Sequence, residues 1–275
     1  ITVGAANTNG TITISDDVVA EFSSRGASAF GRLDPDVVAP GVAINSTSAN
    51  GGYETKSGTS MATPFVSGAA ALLLQKDPSL TPEQVRAILM HTASSIGGHV
   101  FEQGAGLINL TNALTYNIST SINGNDRWEV SVMPGLSATA TLTLNNDNDY
   151  VVNFSFTLEQ ITDLEGDKSL PQSSFSLPSY VVVPPKSSRS VKITFTAPTN
   201  AEPAIYGTTL IISGYSAVLR VPIVITIPLL GNGTINGSVD DGAIYGGDWI
   251  YYKVKAYNGT SLYAKLEWGN TTNDL

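Results

Sequence analysis

The stretch Gly-Thr-Ser-Met-Ala-Thr-Pro-Phe-Val-Ser-Gly, residues 58–68, holds the residue best placed by its neighbours to do chemistry. Ser60 follows a glycine that permits a tight strand-to-helix turn. It precedes a run of small and apolar residues that reads as helix. A serine at a helix start has two readings. It can cap the helix by accepting a backbone N–H. Or it can be a nucleophile, attacking where free N–H groups and the helix dipole stabilise an oxyanion. Residue types alone favour the cap. A nucleophile also needs a base to take the hydroxyl proton, and residues 1–59 contain no histidine. His91 falls near the end of a second helical pattern, where an imidazole can face solvent or the helix C-terminus. His99 lies in a glycine-rich loop. Asp34 and Asp36 read as turn or surface residues.

The elements that must position Ser60 alternate between strand and helix. ITVGAA at the start and DVVAPG at 36–41 read as buried strand edges. Residues 60–76 form a helix with Pro64 in its first turn, where a missing N–H matters little. Apolar on nearly every side, this helix is expected to be buried. A second helix starts sharply, with Thr81 as N-cap, Pro82 at N1 and Gln84 completing a capping box. Val85, Ile88, Leu89 and Thr92 form its inner face. Alternation of this kind implies an α/β layer architecture over residues 1–115.

Near residue 115 the period changes to two. WEVSVM, SATATLTL, YVVNFSFTL, SVKITFTA and TTLIISG are strands separated by turn signals, and VPIVITIPLL reads as a last one. Residues 116–230 are therefore expected to form an all-β sandwich of immunoglobulin or fibronectin type III kind. Residues 231–275 add two aromatic-rich strands, WIYYKVKAY and TSLYAKLEW, too few to stand alone. They read as the first strands of a truncated β-rich domain. The chain thus reads as a piece of a longer polypeptide, or as one that packs against other chains.

Composition narrows the setting. The chain has 275 residues, 42% hydrophobic, and a formal net charge of −9, which argues against nucleic acid and anionic membranes as partners. No cysteine is present, so disulfides and thiolate metal sites are excluded. No apolar run approaches the ~20 residues of a membrane span. Glycosylation sequons fall at Asn9, Asn45, Asn109, Asn117, Asn153, Asn232, Asn236, Asn258 and Asn270, those at 9, 232, 236 and 258 on Asn-Gly turn dipeptides. An acidic, cysteine-free, sequon-rich chain fits an extracellular or cell-surface glycoprotein.

GTSMATP at 58–64 resembles the nucleophile signature of subtilisin-like serine proteases. ITVGAAN, EFSSRG (21–26), DVVAPG, LTPEQVRAILMHTA and GAGLIN (104–109) resemble further family segments in the same order. The resemblance covers roughly residues 1–115 and is to the C-terminal half of the catalytic domain. The β extension suggests the large secreted, archaeal pyrolysin-like kind. It implies that Ser60 is the nucleophile, that its backbone N–H serves the oxyanion hole, and that Gly58, Thr59, Met61 and Pro64 support the turn. Met61 would line the leaving-group side and be open to oxidation. Family order places the triad Asp and His, and the oxyanion Asn, N-terminal to this chain. The chain alone would then be inactive, and that N-terminal part would be its partner beside protein or peptide substrates. Phe65 and Ser67 stand where many relatives have His and Ala, outside the triad. The chemistry requires no cofactor. A structural calcium ion on Asp240, Asp241 and Asp248 is conceivable in such extensions. The acid-active sedolisins share the fold, but their motif runs G-T-S-A-S. The alternative of another class is a non-catalytic surface protein that carries a relic peptidase domain.

Overall fold

A computed structural model describes residues 1–28, 31–215 and 217–229. The expected strands of 231–275, their carboxylates and their sequons lie outside these residues.

The first region is built on a small sheet. Strand β1 (Val3–Asn7) pairs in parallel with β3 (Val37–Pro40) and antiparallel with β2 (Val18–Val19). The 104–109 stretch runs along the other edge of β3: Val38 N–H donates to the Gly106 carbonyl and Ile108 N–H to that of Val38. A hairpin of β4 (Ile44–Thr47) and β5 (Tyr53–Lys56) projects from the sheet almost wholly exposed, and leads into helix α1 (Thr59–Lys76). Helix α2 (Pro82–His91) has the expected capping box. Thr81 Oγ1 accepts from Gln84 N–H at 3.3 Å and Gln84 returns the bond at 2.8 Å. Val85, Ile88, Leu89 and Thr92 are buried, as the pattern predicts. Short helices α3 (Val100–Gln103) and α4 (Leu110–Thr115) close the region.

Helix α1 departs from expectation. Ala62, Val66, Ala69 and Leu73 form one buried stripe, but Phe65, Leu72 and Leu74 on other faces are 44%, 41% and 41% exposed. The sheet, α2 and α4 pack one side of the helix, and no described residue covers the rest.

The second region consists of two sheets. One has the order β12–β14–β8–β6, from Phe175–Ser176, Ser187–Thr196, Ser137–Asn146 and Ile118–Ile122. The other centres on β15 (Ala204–Gly214) and β16 (Ala217–Ile227). On it lie β7 (Trp128–Ser131), parallel to β16, and β9 (Val152–Leu158), β13 (Tyr180–Val183), β10 (Ile161–Thr162) and β11 (Ser169–Leu170). Alternate residues of both sheets, among them Leu142, Leu144, Phe154, Phe195, Leu210 and Val221, share one apolar core. Trp128 meets Phe175 edge-on at 6.2 Å, and Phe175 meets Phe195 at 5.1 Å, tying the sheets together through aromatic contacts.

The two regions meet along a seam of buried polar contacts. Asp36, read from sequence as a turn or surface residue, and His91, read as facing solvent or the helix C-terminus, both lie in it at 3% exposure. Asp36 accepts from Thr2 N–H at 2.8 Å and pairs with Arg127, whose side chain is 8% exposed. Arg127 Nε also reaches Glu129 at 3.0 Å, and Glu129 accepts from Leu33 N–H. Burial opposes the Arg127 charge, but Asp36 and Glu129 more than compensate and raise its pKa. The His91 ring meets the Asp126 carbonyl at 2.7 Å. A carbonyl can only accept, so Nε2 carries the proton. Arg86 holds the Asp126 carboxylate at 2.5 Å. Arg220 Nε donates to the Ala105 carbonyl at 2.6 Å. Ile205 and Val224 of the large sheet join the core of the first region. Gly207 lets α3 approach β15, since a Cβ there would collide with Val100, Phe101 and His99.

Two outcomes follow from this seam. Arg127→Ala leaves Asp36 buried without its cation and should destabilise the chain by about 3 kcal/mol or more in urea unfolding. Burial pushes the His91 and His99 pKa values below the usual 6.5. The unfolded chain therefore takes up these protons first as pH falls, and stability is lost below about pH 6.5. The urea midpoint should drop between pH 7.5 and 5.5, and His91→Gln should reduce that drop.

Candidate active site

The site is built from a strand end and a helix start. β3 ends at Pro40, and Gly41 follows with its N–H on the Ala6 carbonyl at 2.9 Å. Gly58 N–H then donates to the Gly41 carbonyl at 2.8 Å. This bond sets the start of α1 against the C-terminal end of the parallel strands, where α/β sheets place their ligands. The packing tolerates no side chain at Gly41: a Cβ there would lie 2.6 Å from Ala5 Cβ and 2.9 Å from the Gly58 oxygen. Gly58 itself has φ +156° and ψ 161°, a region open essentially to glycine. The residue type at 58 is thus dictated by the turn.

Ser60 does not cap the helix. Gly58 is the N-cap residue, Thr59 is the first helical residue and Ser60 the second. The Gly58 carbonyl accepts from Met61 N–H at 3.0 Å and Ala62 N–H at 3.3 Å. Among the described residues nothing bonds the Ser60 N–H or its hydroxyl, and the residue is exposed. Its neighbours behave differently. Thr63 Oγ1 folds back onto the Thr59 carbonyl at 3.0 Å and Ser67 Oγ onto that of Thr63 at 3.3 Å. Ser60 therefore presents a free hydroxyl and a free N–H together at the positive end of an 18-residue helix.

Pro64 is the sixth residue of α1, beyond the first turn where the sequence suggested it. The helix begins earlier than that reading assumed. Without an N–H, Pro64 cannot bond the carbonyl four residues back, which is that of Ser60. Thr59 and Met61 are half-buried beside the turn, with Met61 Sδ packed towards Gly58.

Neither histidine attends Ser60. His91 is committed to Asp126 at the seam. His99 caps α3, its Nδ1 accepting from Phe101 N–H at 3.2 Å. Asp36 is equally committed to Thr2 and Arg127. Among the described residues no group of three or more acidic or histidine side chains could hold a metal. Of the sequons, Asn9, Asn45, Asn117 and Asn153 are exposed. Asn109 is half-buried and caps α4, accepting from Asn112 N–H at 2.9 Å and donating to Ser94 Oγ at 3.0 Å. That engagement was invisible in the tripeptide signal, although an Asn before a helix is itself a cap signal.

The subtilase family model matches residues 1–106. Serine protease AprX of Bacillus subtilis is 46% identical over 103 residues, 32% of this chain and 23% of that protein. Subtilisin E of the same organism is 47% identical over 110 residues, 40% of this chain and 25% of that protein. Minor extracellular protease Vpr, also from B. subtilis, is 30% identical over 263 residues, 87% of this chain and 30% of that protein. The similarity to Vpr thus extends through both sheets of the second region. The chain spans about a quarter to a third of the length of these relatives. No described helix is long and apolar enough to cross a membrane. The segment that carries Gly58, Ser60 and their supporting strands is a subtilisin-like protease segment of the subtilase family.

Proposed function

We propose that this chain is part of a secreted subtilisin-like serine endopeptidase in which Ser60 is the nucleophile. The observation that carries the reading is the free Ser60 hydroxyl and N–H at the start of α1, on a turn that only glycines at 41 and 58 permit. In this reading Ser60 Oγ attacks the scissile carbonyl while a histidine takes its proton. The tetrahedral oxyanion accepts from the Ser60 N–H and from an Asn side chain. Collapse breaks the C–N bond, the histidine protonates the leaving amine, and water hydrolyses the acyl-enzyme. The histidine, its orienting Asp and the oxyanion Asn belong to the region N-terminal to residue 1. That region would also cover Phe65, Leu72 and Leu74 of α1.

The same proposal takes residues 116–230 as a fibronectin type III-like module, and 231–275 as the start of a further β domain. It assigns the chain to the cell exterior, with glycans at Asn9, Asn45, Asn117 and Asn153 and at the sequons beyond residue 230. Calcium, if bound at Asp240, Asp241 and Asp248, is structural.

A fluorophosphonate probe on the full-length protein tests the assignment. Adduct mapping should place the label on Ser60, and Ser60→Ala should lose it together with peptidase turnover. The 275-residue chain by itself should not be labelled. A folded full-length protein that takes no label would favour the relic, non-catalytic reading.

A further inference from the structure

The sequons of the described residues are not equivalent. Asn9 has its Nδ2 on the Asp16 carbonyl at 2.5 Å, and Asn109 is engaged with Asn112 and Ser94. Asn45, Asn117 and Asn153 are exposed, and no described group bonds their side-chain amides. Asn45 sits on the projecting hairpin and Asn117 just before β6. Asn153 differs from both: it lies in β9, within the sheet centred on β15 and β16.

The register shows what surrounds Asn153. Successive side chains of a strand face opposite ways. Val152 and Phe154 enter the core, so Asn153 and Ser155 stand on the outer face. On β13, Val182 lies opposite Asn153 and Tyr180 opposite Ser155. On β15, Gly214 lies opposite Phe154 and Ser213 opposite Ser155, and Val218 of β16 faces Ser213 in turn. Tyr215 follows Gly214 directly, and its ring meets Tyr150 at 5.2 Å. Val151, Tyr180, Tyr215 and Val218 are all more than half exposed. The first region meets this sheet at the other end of β15, near Ile205 and Gly207. The outer face around Asn153 is thus an apolar patch with a sequon, Asn153-Phe154-Ser155, at its centre.

We propose that an N-linked glycan on Asn153 lies over this face, its first sugar rings packed on Tyr180 and Tyr215. Opposite and diagonal neighbours on a sheet stand about 5–8 Å apart, within reach of the first sugars carried by an Asn side chain. A pyranose ring has C–H groups on its flat faces, and a tyrosine ring presents an electron-rich face to them. The sugar hydroxyls stay turned to water. An exposed apolar patch otherwise marks a site of association, and sugars held in this way hide it. The inference rests on the glycoprotein part of the proposed function and does not involve Ser60.

The test uses the full-length protein isolated from the cells that make it. Glycopeptide mass spectrometry should find carbohydrate on Asn153. Tetranitromethane, which nitrates accessible tyrosine rings, then compares this protein with Asn153→Gln made in the same cells. Nitration of Tyr180 and Tyr215 should rise several-fold in the variant, while that of Tyr53 on the hairpin stays unchanged. Should Asn153→Gln not fold, Ser155→Ala removes the sequon and keeps the Asn. Carbohydrate at other sequons but not on Asn153 overturns the proposal and leaves the glycoprotein reading standing. A chain without carbohydrate at any sequon overturns both. Carbohydrate on Asn153 with equal nitration of Tyr180 and Tyr215 in protein and variant overturns the proposal too.

Discussion

The pairing of Asp36 with Arg127 is the contact on which the arrangement of this chain depends. Asp36 immediately precedes β3, the strand whose far end leads to Gly41 and, through it, to the turn before Ser60. Its carboxylate takes Thr2 N–H from β1 and Arg127 from the second region, and its carbonyl takes Ala105 N–H from the stretch along the other edge of β3. One buried residue, through its carboxylate and its carbonyl, thus ties segments of the first region together and to the sheet region. Buried charge of this kind costs desolvation and is tolerated when geometry and additional hydrogen bonds are good. Here Glu129 completes Arg127 and in turn receives Leu33 N–H. The second region is therefore bonded to the strand that carries the active turn, not strung behind it on a linker.

The seam is also where the chain keeps its titratable residues out of water. Both histidines are spent on it, one under the Asp126 carbonyl and one at the close approach of α3 to Gly207. This explains why neither is available to Ser60. Ser60 carries on its own side a hydroxyl, an N–H and a helix dipole. The exposed apolar residues Phe65, Leu72 and Leu74 lie on the same helix.

The sheets beyond residue 115 bury alternate residues in a shared core, and β6 is the last strand of its sheet. Edge strands are commonly protected by charge, proline or a covering helix. Here α2 stands over the edge, and Ile118 and Thr120 are buried beneath it.

Much of this was legible in the sequence. The capping box at Thr81 and Gln84, the inner face of α2, the period-two strands and the glycine-bounded turn at Ser60 all follow from local rules of spacing and residue type. These rules operate within a few residues, and a sequence displays them directly. What the sequence could not settle is long-range. The burial of Asp36 depends on Arg127, 91 positions away, and that of His91 on Asp126. Asn109 reads as a sequon, and the structure adds that its side chain caps α4 through Asn112. The exposure of Leu72 and Leu74 depends on what covers α1, which the apolarity of the helix cannot reveal. The sequence by itself determined the capping box of α2, the alternating strands and the glycine-bounded turn before Ser60. Only the tertiary structure decided which charges meet, which edge a helix covers and which histidines are already taken, because each of these depends on partners brought together by packing and not by adjacency along the chain.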